Sequence, residues 1–201
     1  MKFVKPLFWN SKNIISIILF PLSLITLIIN ELKELNSKKK YLIKTICVGN
    51  TYKRGTGKTS LAIEIQILLK KKFKTAFVKK NYINQLDEIN LLKTKGELIS
   101  KDSREEALYL ASKKKYELAI LDDGLQQKNI NYDLKIVCFN AGDGFGNNFL
   151  LPAGPLRESI HKIKNYDIAF INGEKKNNNL YLKLKSINKE IQIFEGKYKP
   201  V

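Results

Sequence analysis

Three consecutive residues, Gly57, Lys58 and Thr59, have the composition of a phosphate-binding loop. They follow an apolar run and lead into a stretch with helical character, and a helix N-terminus presents free backbone N–H groups to an anion. In such loops the glycines let the backbone approach the phosphate, the lysine pairs with its oxygens, and the hydroxyl ligates Mg2+. We therefore predict a nucleotide site in which the following residues bind the nucleotide: Gly55, Thr56, Gly57, Lys58 and Thr59.

The beginning of this loop departs from the common pattern. The pattern GxxxxGK[ST] has a further glycine where this chain has Tyr52. A glycine-rich turn with a chance Gly-Lys-Thr is the alternative interpretation. We favour the phosphate loop because its anion-binding end is complete.

Two carboxylates, Asp122 and Asp123, end a second apolar run and precede a glycine. Carboxylates at the C-terminal end of a neighbouring parallel strand are placed to hold Mg2+, directly or through water, beside the hydroxyl of Thr59. Alone, Asp-Asp-Gly after a strand is more often a turn. Together with the upstream loop, it predicts a Mg2+ site formed by Thr59, Asp122 and Asp123.

A sheet with helices around it is needed to bring these residues together. Short apolar or β-branched runs predict strands at 43–48, 75–79, 117–122, 134–139 and 167–172, and the stretches 58–71, 103–115 and 157–165 are predicted helices. The polar stretch 173–179 is a predicted loop. Alternating elements, with strands apolar on both faces, predict an α/β fold: a P-loop NTPase-like, mainly parallel sheet covered by helices.

Residues 13–30 carry no charge, which is the lower edge of a membrane-spanning length. Polar residues recur at helical spacing and form one thin stripe: Asn13, Ser16, Ser23, Thr26, Asn30 and Lys33. Pro21 interrupts the stretch. We favour a helix lying in the membrane surface; the alternatives are a spanning helix and a helix buried against the protein itself. The predicted domains are 1–40, a membrane-associating helix with a basic joint, and 41–201, a P-loop core lobe.

The net charge of +17 comes almost wholly from lysine and is spread along the chain. No zinc-finger spacing or aromatic RNA-binding run accompanies it, so we expect no nucleic-acid partner. An anionic membrane or a phosphorylated substrate would use the same field. The two cysteines, Cys47 and Cys138, lie in predicted strands without a CxxC pair and are predicted to be reduced core thiols.

The chain has no Asn-Lys-x-Asp motif of the kind that recognises guanine. Its nearest approach is Asn188 and Lys189, which Glu190 and Ile191 follow. This favours ATP over GTP.

The assembled motifs resemble the tetraacyldisaccharide 4'-kinase family of lipid A biosynthesis. The resemblance runs from PLFWN near the N-terminus through CVGNTYKRGTGKTS and LDDGLQQ to GFGNNFLLPAGPLRES. The last segment is the most specific, because a generic phosphate loop protein has no reason to carry it. The resemblance implies transfer of the γ-phosphate of ATP, with Mg2+, to the 4'-hydroxyl of an acylated glucosamine disaccharide 1-phosphate. It also implies a peripheral or N-terminally anchored location on the cytoplasmic face of the inner membrane.

The resemblance assigns roles to individual residues. The family's GGxGKT loop corresponds to 54–59, with Arg54 in place of its first glycine, and its RGYG segment to KKNY at 79–82. Its catalytic aspartate, in a Gly-Asp-Glu motif, corresponds to Asp87, beside Glu88. The implied catalytic residues are Asp87, Glu88 and Lys58, and the implied further nucleotide ligands are Arg104, Gln126 and Arg157.

Structural roles compete with these assignments. Asp87 and Glu88 also suit the first turn of a helix, where the helix dipole stabilises carboxylates. Arg104 and Arg157 suit phosphate oxygens through their guanidinium forks, and surface ion pairing is the alternative.

Two other functions stay open beside the lipid kinase. One is a membrane-associated ATPase switch, and the other is a kinase lobe that binds nucleotide without turnover. The family has a second lobe with a histidine that partners the catalytic aspartate, and the chain ends at Val201. We expect His161 not to be that histidine.

Overall fold

The computed structural model describes residues 5–35, 37–52, 56–82, 85–174 and 177–197. Two compact units are present. The first, called the terminal unit, comprises Met1–Asn36, Asn50–Thr56 and Cys138–Val201; the second, called the loop unit, comprises Ser37–Gly49 and Gly57–Val137. The predicted domains, 1–40 and 41–201, remain a prediction.

Seven strands of the described residues form one sheet, and the alternating pattern of the sequence predicts five of them. They are β1 (Lys44–Gly49), β2 (Thr75–Lys80), β3 (Leu98–Lys101), β4 (Leu118–Asp122), β5 (Leu134–Asn140), β6 (Ile168–Asn172) and β7 (Gln192–Gly196). Their order is β3-β2-β4-β1-β5-β6-β7, and the pairs β1–β4, β1–β5, β2–β3, β2–β4 and β6–β7 are parallel. The α/β fold class is therefore confirmed.

The helices are α1 (Ile14–Glu34), α2 (Lys58–Leu69), α3 (Leu86–Lys95), α4 (Arg104–Lys113) and α5 (Asn178–Ile187). In the loop unit, α2 follows β1, α3 follows β2 and α4 follows β3, which is the strand-helix alternation of parallel sheets. Strands β2 and β4 are buried along almost their whole length. Cys47 and Cys138 are reduced and fully buried, as predicted.

Helix α1, in the terminal unit, turns its polar stripe toward the protein and its apolar face outward. Asn13 and Ser16 close a capping box at its start, with Ser16 N donating to Asn13 Oδ1 over 3.0 Å. Ser23 and Thr26 donate to the backbone oxygens of Leu150 and Leu151. The large apolar side chains are exposed, for example Ile18 at 69% and Ile25 at 54% of their surface.

Helix α1 is, among the described residues, long and apolar enough to cross a membrane by length and composition, which is weak evidence on its own. The helix continues through Pro21. Its contacts do not fit the alternative of a helix buried through its apolar face, because only Ser16 and Ser23 are buried within it.

Several predicted elements differ from the observed ones. The predicted helix at 157–165 is a short 3-10 helix, Ile160–Asn165, because Arg157 N donates to Thr51 O at 2.7 Å and the N-cap Ser159, with φ of -58° and ψ of 141°, is not helical. Strands β3 and β7 and helices α3 and α5 were not predicted. The predicted loop at 173–179 overlaps the start of α5, where Asn177 accepts from Leu180 N as the N-cap.

Candidate phosphate-binding site

The phosphate-loop residues of the loop unit lie at the start of α2. Gly57 has φ of 77°, a left-handed conformation that favours glycine, and α2 begins at the next residue, Lys58. The first turn of α2 contains no acidic residue. The free N–H groups of this turn form the positive end of the helix, which favours an anion.

A further predicted loop residue, Thr56, falls in the terminal unit. Thr56 is buried, and its Oγ1 accepts a hydrogen bond from Asn50 Nδ2 over 3.0 Å within that unit. Gly55, like Arg54, lies outside the residues that the structure describes.

Thr59 and Asp122 are brought together as the sequence predicts. Thr59 Oγ1 lies 3.2 Å from Asp122 Oδ2 and 3.4 Å from Oδ1, and Asp122 is fully buried at the end of β4. A hydroxyl and a carboxylate side by side are the oxygen donors that Mg2+ takes in nucleotide sites. No cluster of three or more His, Cys, Asp or Glu occurs in the described ranges. This donor set fits a Mg2+ that obtains its other ligands from phosphate and water.

A buried lysine, Lys79, joins Asp122 to a second carboxylate. Its side chain has no exposed surface, and its Nζ donates to Asp122 Oδ2 at 2.7 Å and to Glu88 Oε2 at 2.6 Å. Lys58 Nζ lies 3.6 Å from the other oxygen of Glu88. Thr59, Asp122, Lys79, Glu88 and Lys58 thus form one continuous polar chain, which we call the lysine–carboxylate network.

The pKa values of this network follow from its charges. Burial disfavours the charged form of Lys79, but Asp122 and Glu88 outweigh it, so that the pKa of Lys79 is raised. For Glu88, burial works to raise the pKa, and the hydrogen bond from Lys79 with the nearby charges of Lys58 and Lys79 outweighs burial and lowers it. Both groups are therefore charged at neutral pH.

The turn after β4 is fixed by contacts to its backbone. Asp123 has φ of 62°, which is uncommon for a residue other than glycine, and its N donates to Val48 O at 2.8 Å. Arg104 Nη2 donates to Asp123 O at 2.6 Å, and Arg104 Nη1 to Gln127 Oε1 at 2.9 Å. Arg104 is almost completely buried. Its guanidinium is therefore a clamp on the Asp-Asp-Gly turn in this structure.

The other predicted site residues are less closely tied to the network. Asp87 is exposed on the first turn of α3, next to the half-buried Glu88. Gln126 is half-buried in the turn after β4. Arg157 is half-buried in the terminal unit, where its backbone oxygen accepts from Asn30 Nδ2 at 2.8 Å.

The family of the chain follows from its sequence as a whole. The sequence model of the tetraacyldisaccharide-1-P 4'-kinase family, LpxK, matches residues 15–201. The chain belongs to this family. The specific segment from Gly144 to Ser159 falls within the match.

Individual relatives agree with this assignment. The chain is 46% identical to a tetraacyldisaccharide 4'-kinase of Pelagibacter ubique over 100% of the chain and 65% of the relative. It is 34% identical to one of Rickettsia canadensis over 85% of the chain and 58% of the relative. The chain thus spans about three fifths of the length of the relatives it matches.

A solved structure supports the fold. The crystal structure of LpxK from Aquifex aeolicus, described as a complex with ATP, has a TM-score of 0.69 and 24% identity. The likeness covers 79% of this chain and 59% of the other. It confirms the P-loop NTPase-like architecture.

Sequence reasoning missed Lys79 as a member of the site. It stands at the end of a strand beside Lys80 and within a lysine-rich chain, where a lysine is usually solvated. A signal was nevertheless present, since β2 and β4 were both predicted. Neighbouring parallel strands bring the residues at their C-terminal ends to one edge of the sheet.

Proposed function

We propose that the chain is the nucleotide-binding part of an ATP-dependent kinase that transfers the γ-phosphate to the 4'-hydroxyl of tetraacyldisaccharide 1-phosphate in lipid A biosynthesis. The observation that carries the proposal is the Thr59 hydroxyl, 3.2 Å from buried Asp122, in the first turn of α2. The names of the relatives supply the acceptor, and the ATP complex of the Aquifex structure supports the donor.

The predicted site residues have the following roles in this proposal. Mg2+ supplies charge neutralisation of the phosphates when bound, and Thr59 and Asp122 would hold it. Lys58 pairs with phosphate oxygens, for which its ammonium group must leave Glu88, 3.6 Å away. Asp123 is the third proposed Mg2+ ligand, and Arg104 fixes its turn by donating to the Asp123 backbone oxygen. Gln126 and Arg157 remain proposed nucleotide ligands.

Asp87 is the proposed base or orienter of the acceptor hydroxyl. A kinase needs a carboxylate near the transferred phosphate that can accept the proton of the attacking oxygen. Glu88 is less suited, because its two oxygens already face Lys79 and Lys58 and its pKa is lowered by them. Asp87 is exposed on the same helical turn and is free to meet an acceptor.

Attachment to an anionic membrane surface is proposed for α1. Its apolar side chains are exposed along the whole helix, while its polar stripe is used in hydrogen bonds to the terminal unit. A helix in this orientation can place its apolar face among acyl chains without unfolding. The acceptor is a lipid, so a peripheral position on the cytoplasmic face of the inner membrane brings enzyme and substrate together.

The test combines nucleotide binding with phosphate transfer. Lys58→Ala and Thr59→Ala each remove a contact to phosphate or Mg2+, and the loss of such a charge-assisted contact is about 1.5 to 3 kcal/mol, or roughly 10- to 150-fold in affinity. Calorimetric titration with Mg-ATP measures this. Lys101→Ala, which removes an exposed lysine at the end of β3, is the control.

Transfer is measured with labelled ATP and tetraacyldisaccharide 1-phosphate, separated by thin-layer chromatography. Lipid-dependent transfer that Asp87→Asn abolishes supports the full proposal. Binding of Mg-ATP with no transfer supports a nucleotide-binding lobe without turnover. Unchanged affinity in both loop variants contradicts the phosphate site.

A further inference from the structure

Lys79 is the most deeply buried charged side chain of the lysine–carboxylate network. Neither it nor Asp122 has exposed side-chain surface, while Glu88 retains 36%. An isolated ammonium group could not remain charged in such a position, since its transfer from water costs far more than a protein's net stability. The two carboxylates at 2.6 and 2.7 Å are therefore what makes a charged lysine possible here.

The strand register explains why these groups meet. Strands β2 and β4 are parallel, with Phe77 opposite Ile120 and Val78 opposite Leu121. The next residue on each strand is Lys79 and Asp122, so both side chains leave the sheet on the same face. Glu88 comes from the first turn of α3, which follows β2 after a short connection. The parallel pairing of β2 with β4 and the position of α3 after β2 therefore bring the three charged groups together.

The place of the ammonium group is one that a metal ion could otherwise take. Two carboxylates that converge on one point offer the oxygen ligands that Mg2+ prefers. Mg2+ binds carboxylate oxygens at about 2.0 to 2.1 Å and keeps near-octahedral geometry. A lysine nitrogen within hydrogen-bond distance of both acids fills that point and repels a second cation.

Direct contact between Lys79 and a nucleotide does not fit its position. The side chain is fully buried, and its two short hydrogen bonds are made inside the protein. Lys58, in contrast, is partly exposed in the first turn of α2. The phosphate contact belongs to Lys58, and Lys79 acts through Asp122.

We propose that Lys79 is a positioning residue whose ammonium group is the fixed cation between Asp122 and Glu88, in place of a second divalent ion. It holds Asp122 beside Thr59 and limits the site to a single metal. The part of this proposal that concerns a nucleotide-bound metal at Thr59 rests on the proposed function. The exclusion of a cation from the point between Asp122 and Glu88 does not depend on it.

The experiment counts Mn2+ ions by the loss of the free-ion EPR signal, with and without ADP. The wild-type chain is expected to bind at most one Mn2+ in either condition. Lys79→Met should gain a Mn2+ site in the nucleotide-free chain, because Asp122 and Glu88 then lack a cation between them. The affinity of this site should be at least about tenfold higher than that of any Mn2+ binding by the nucleotide-free wild type. Lys79→Arg keeps the charge and should keep the wild-type count.

Two further variants locate the effect. Lys79→Met combined with Glu88→Gln should lose the gained site, because one of its two carboxylates is gone. Lys101→Met, at the end of neighbouring β3, should bind as the wild type does. A purely structural lysine would leave every Mn2+ count unchanged, and that result in a folded Lys79→Met chain overturns the proposal.

The wild type decides the matter if Lys79→Met fails to fold. Two Mn2+ per wild-type chain, with or without ADP, overturn the proposal, and a single one together with an unchanged count in Lys79→Arg supports it. A chain that binds no nucleotide but gains Mn2+ on Lys79→Met refutes the proposed function alone. The two proposals therefore fail separately.

Discussion

The polar stripe of α1 holds this helix to the rest of the terminal unit through hydrogen bonds. Removing the stripe should therefore lower the free energy of unfolding. The triple variant Ser23→Ala, Thr26→Val and Asn30→Leu deletes four hydrogen bonds. Ser23 donates to Leu150 O at 2.8 Å and accepts from Ala153 N at 3.2 Å. Thr26 and Asn30 each donate to one further backbone oxygen, at 2.7 and 2.8 Å.

The magnitude follows from the number of bonds. A net hydrogen bond contributes about 0.5 to 1.5 kcal/mol, so four of them amount to about 2 to 6 kcal/mol of unfolding free energy. One of the acceptors, Leu150 O, keeps a second donor in Gly154 N, which places the expected loss toward the middle of that range.

Urea unfolding in a mild detergent, followed by tryptophan fluorescence, measures the loss. The chain has a single tryptophan, Trp9, which is buried and donates from Nε1 to Pro152 O at 3.1 Å, close to the carbonyls that α1 binds. Its emission therefore reports on the same part of the terminal unit.

The matched control changes the opposite face of the helix. Ile18→Ser with Ile25→Ser alters two exposed side chains and should change the unfolding free energy by less than about 0.5 kcal/mol per site. The same variant should weaken binding to anionic vesicles, because it removes apolar surface from the membrane side. If it instead destabilises the protein as much as the triple variant does, the apolar face is the packed one and the reasoning is wrong.

Two other outcomes are expected in the loop unit. The lowered pKa of Glu88 means that its contribution to stability is complete above its unfolded value of 4.5 and is lost as pH falls through the folded value. The stability difference between wild type and Glu88→Gln should therefore shrink below about pH 4.5 in urea titrations, and a difference independent of pH would contradict the ion pair. Gly124→Ala should cost about 1 to 3 kcal/mol, because its Cβ would lie 2.9 Å from Cys47 Sγ and 3.0 Å from the Tyr132 hydroxyl. Cys47→Ala in the same chain should recover part of that loss in thermal unfolding, and no recovery would mean that Cys47 is not the obstacle.

The parts of the fold that the sequence predicts are those where one local signal dominates. Strands β1 and β4 are apolar and end at a glycine-rich loop and at two aspartates, so pattern and motif agreed and Thr59 and Asp122 were correctly paired. Strand β3 has only four residues, LISK, and its hydrogen bonds to β2 are what make it a strand.

The parts that it does not predict depend on contacts distant in the chain. The sequence shows the polar stripe of α1 but not its partners at 150–157, because the spacing of polar residues identifies the face of a helix and not the residues that this face contacts. Lys79 looked like any surface lysine until Asp122 and Glu88 surrounded it. Arg104 is a predicted nucleotide ligand, and its contacts with Gln127 and with the backbone of Asp123 follow from no motif in the sequence.

The distance along the chain between α1 and its partners has a consequence during protein synthesis. Ser23 and Leu150 are 127 residues apart. A ribosome that adds about 5 to 20 residues per second needs roughly 6 to 25 s to cover that interval. For this time the nascent α1 lacks the backbone acceptors of its polar stripe, while its apolar face, which stays exposed in the folded chain as well, is already available to a lipid surface.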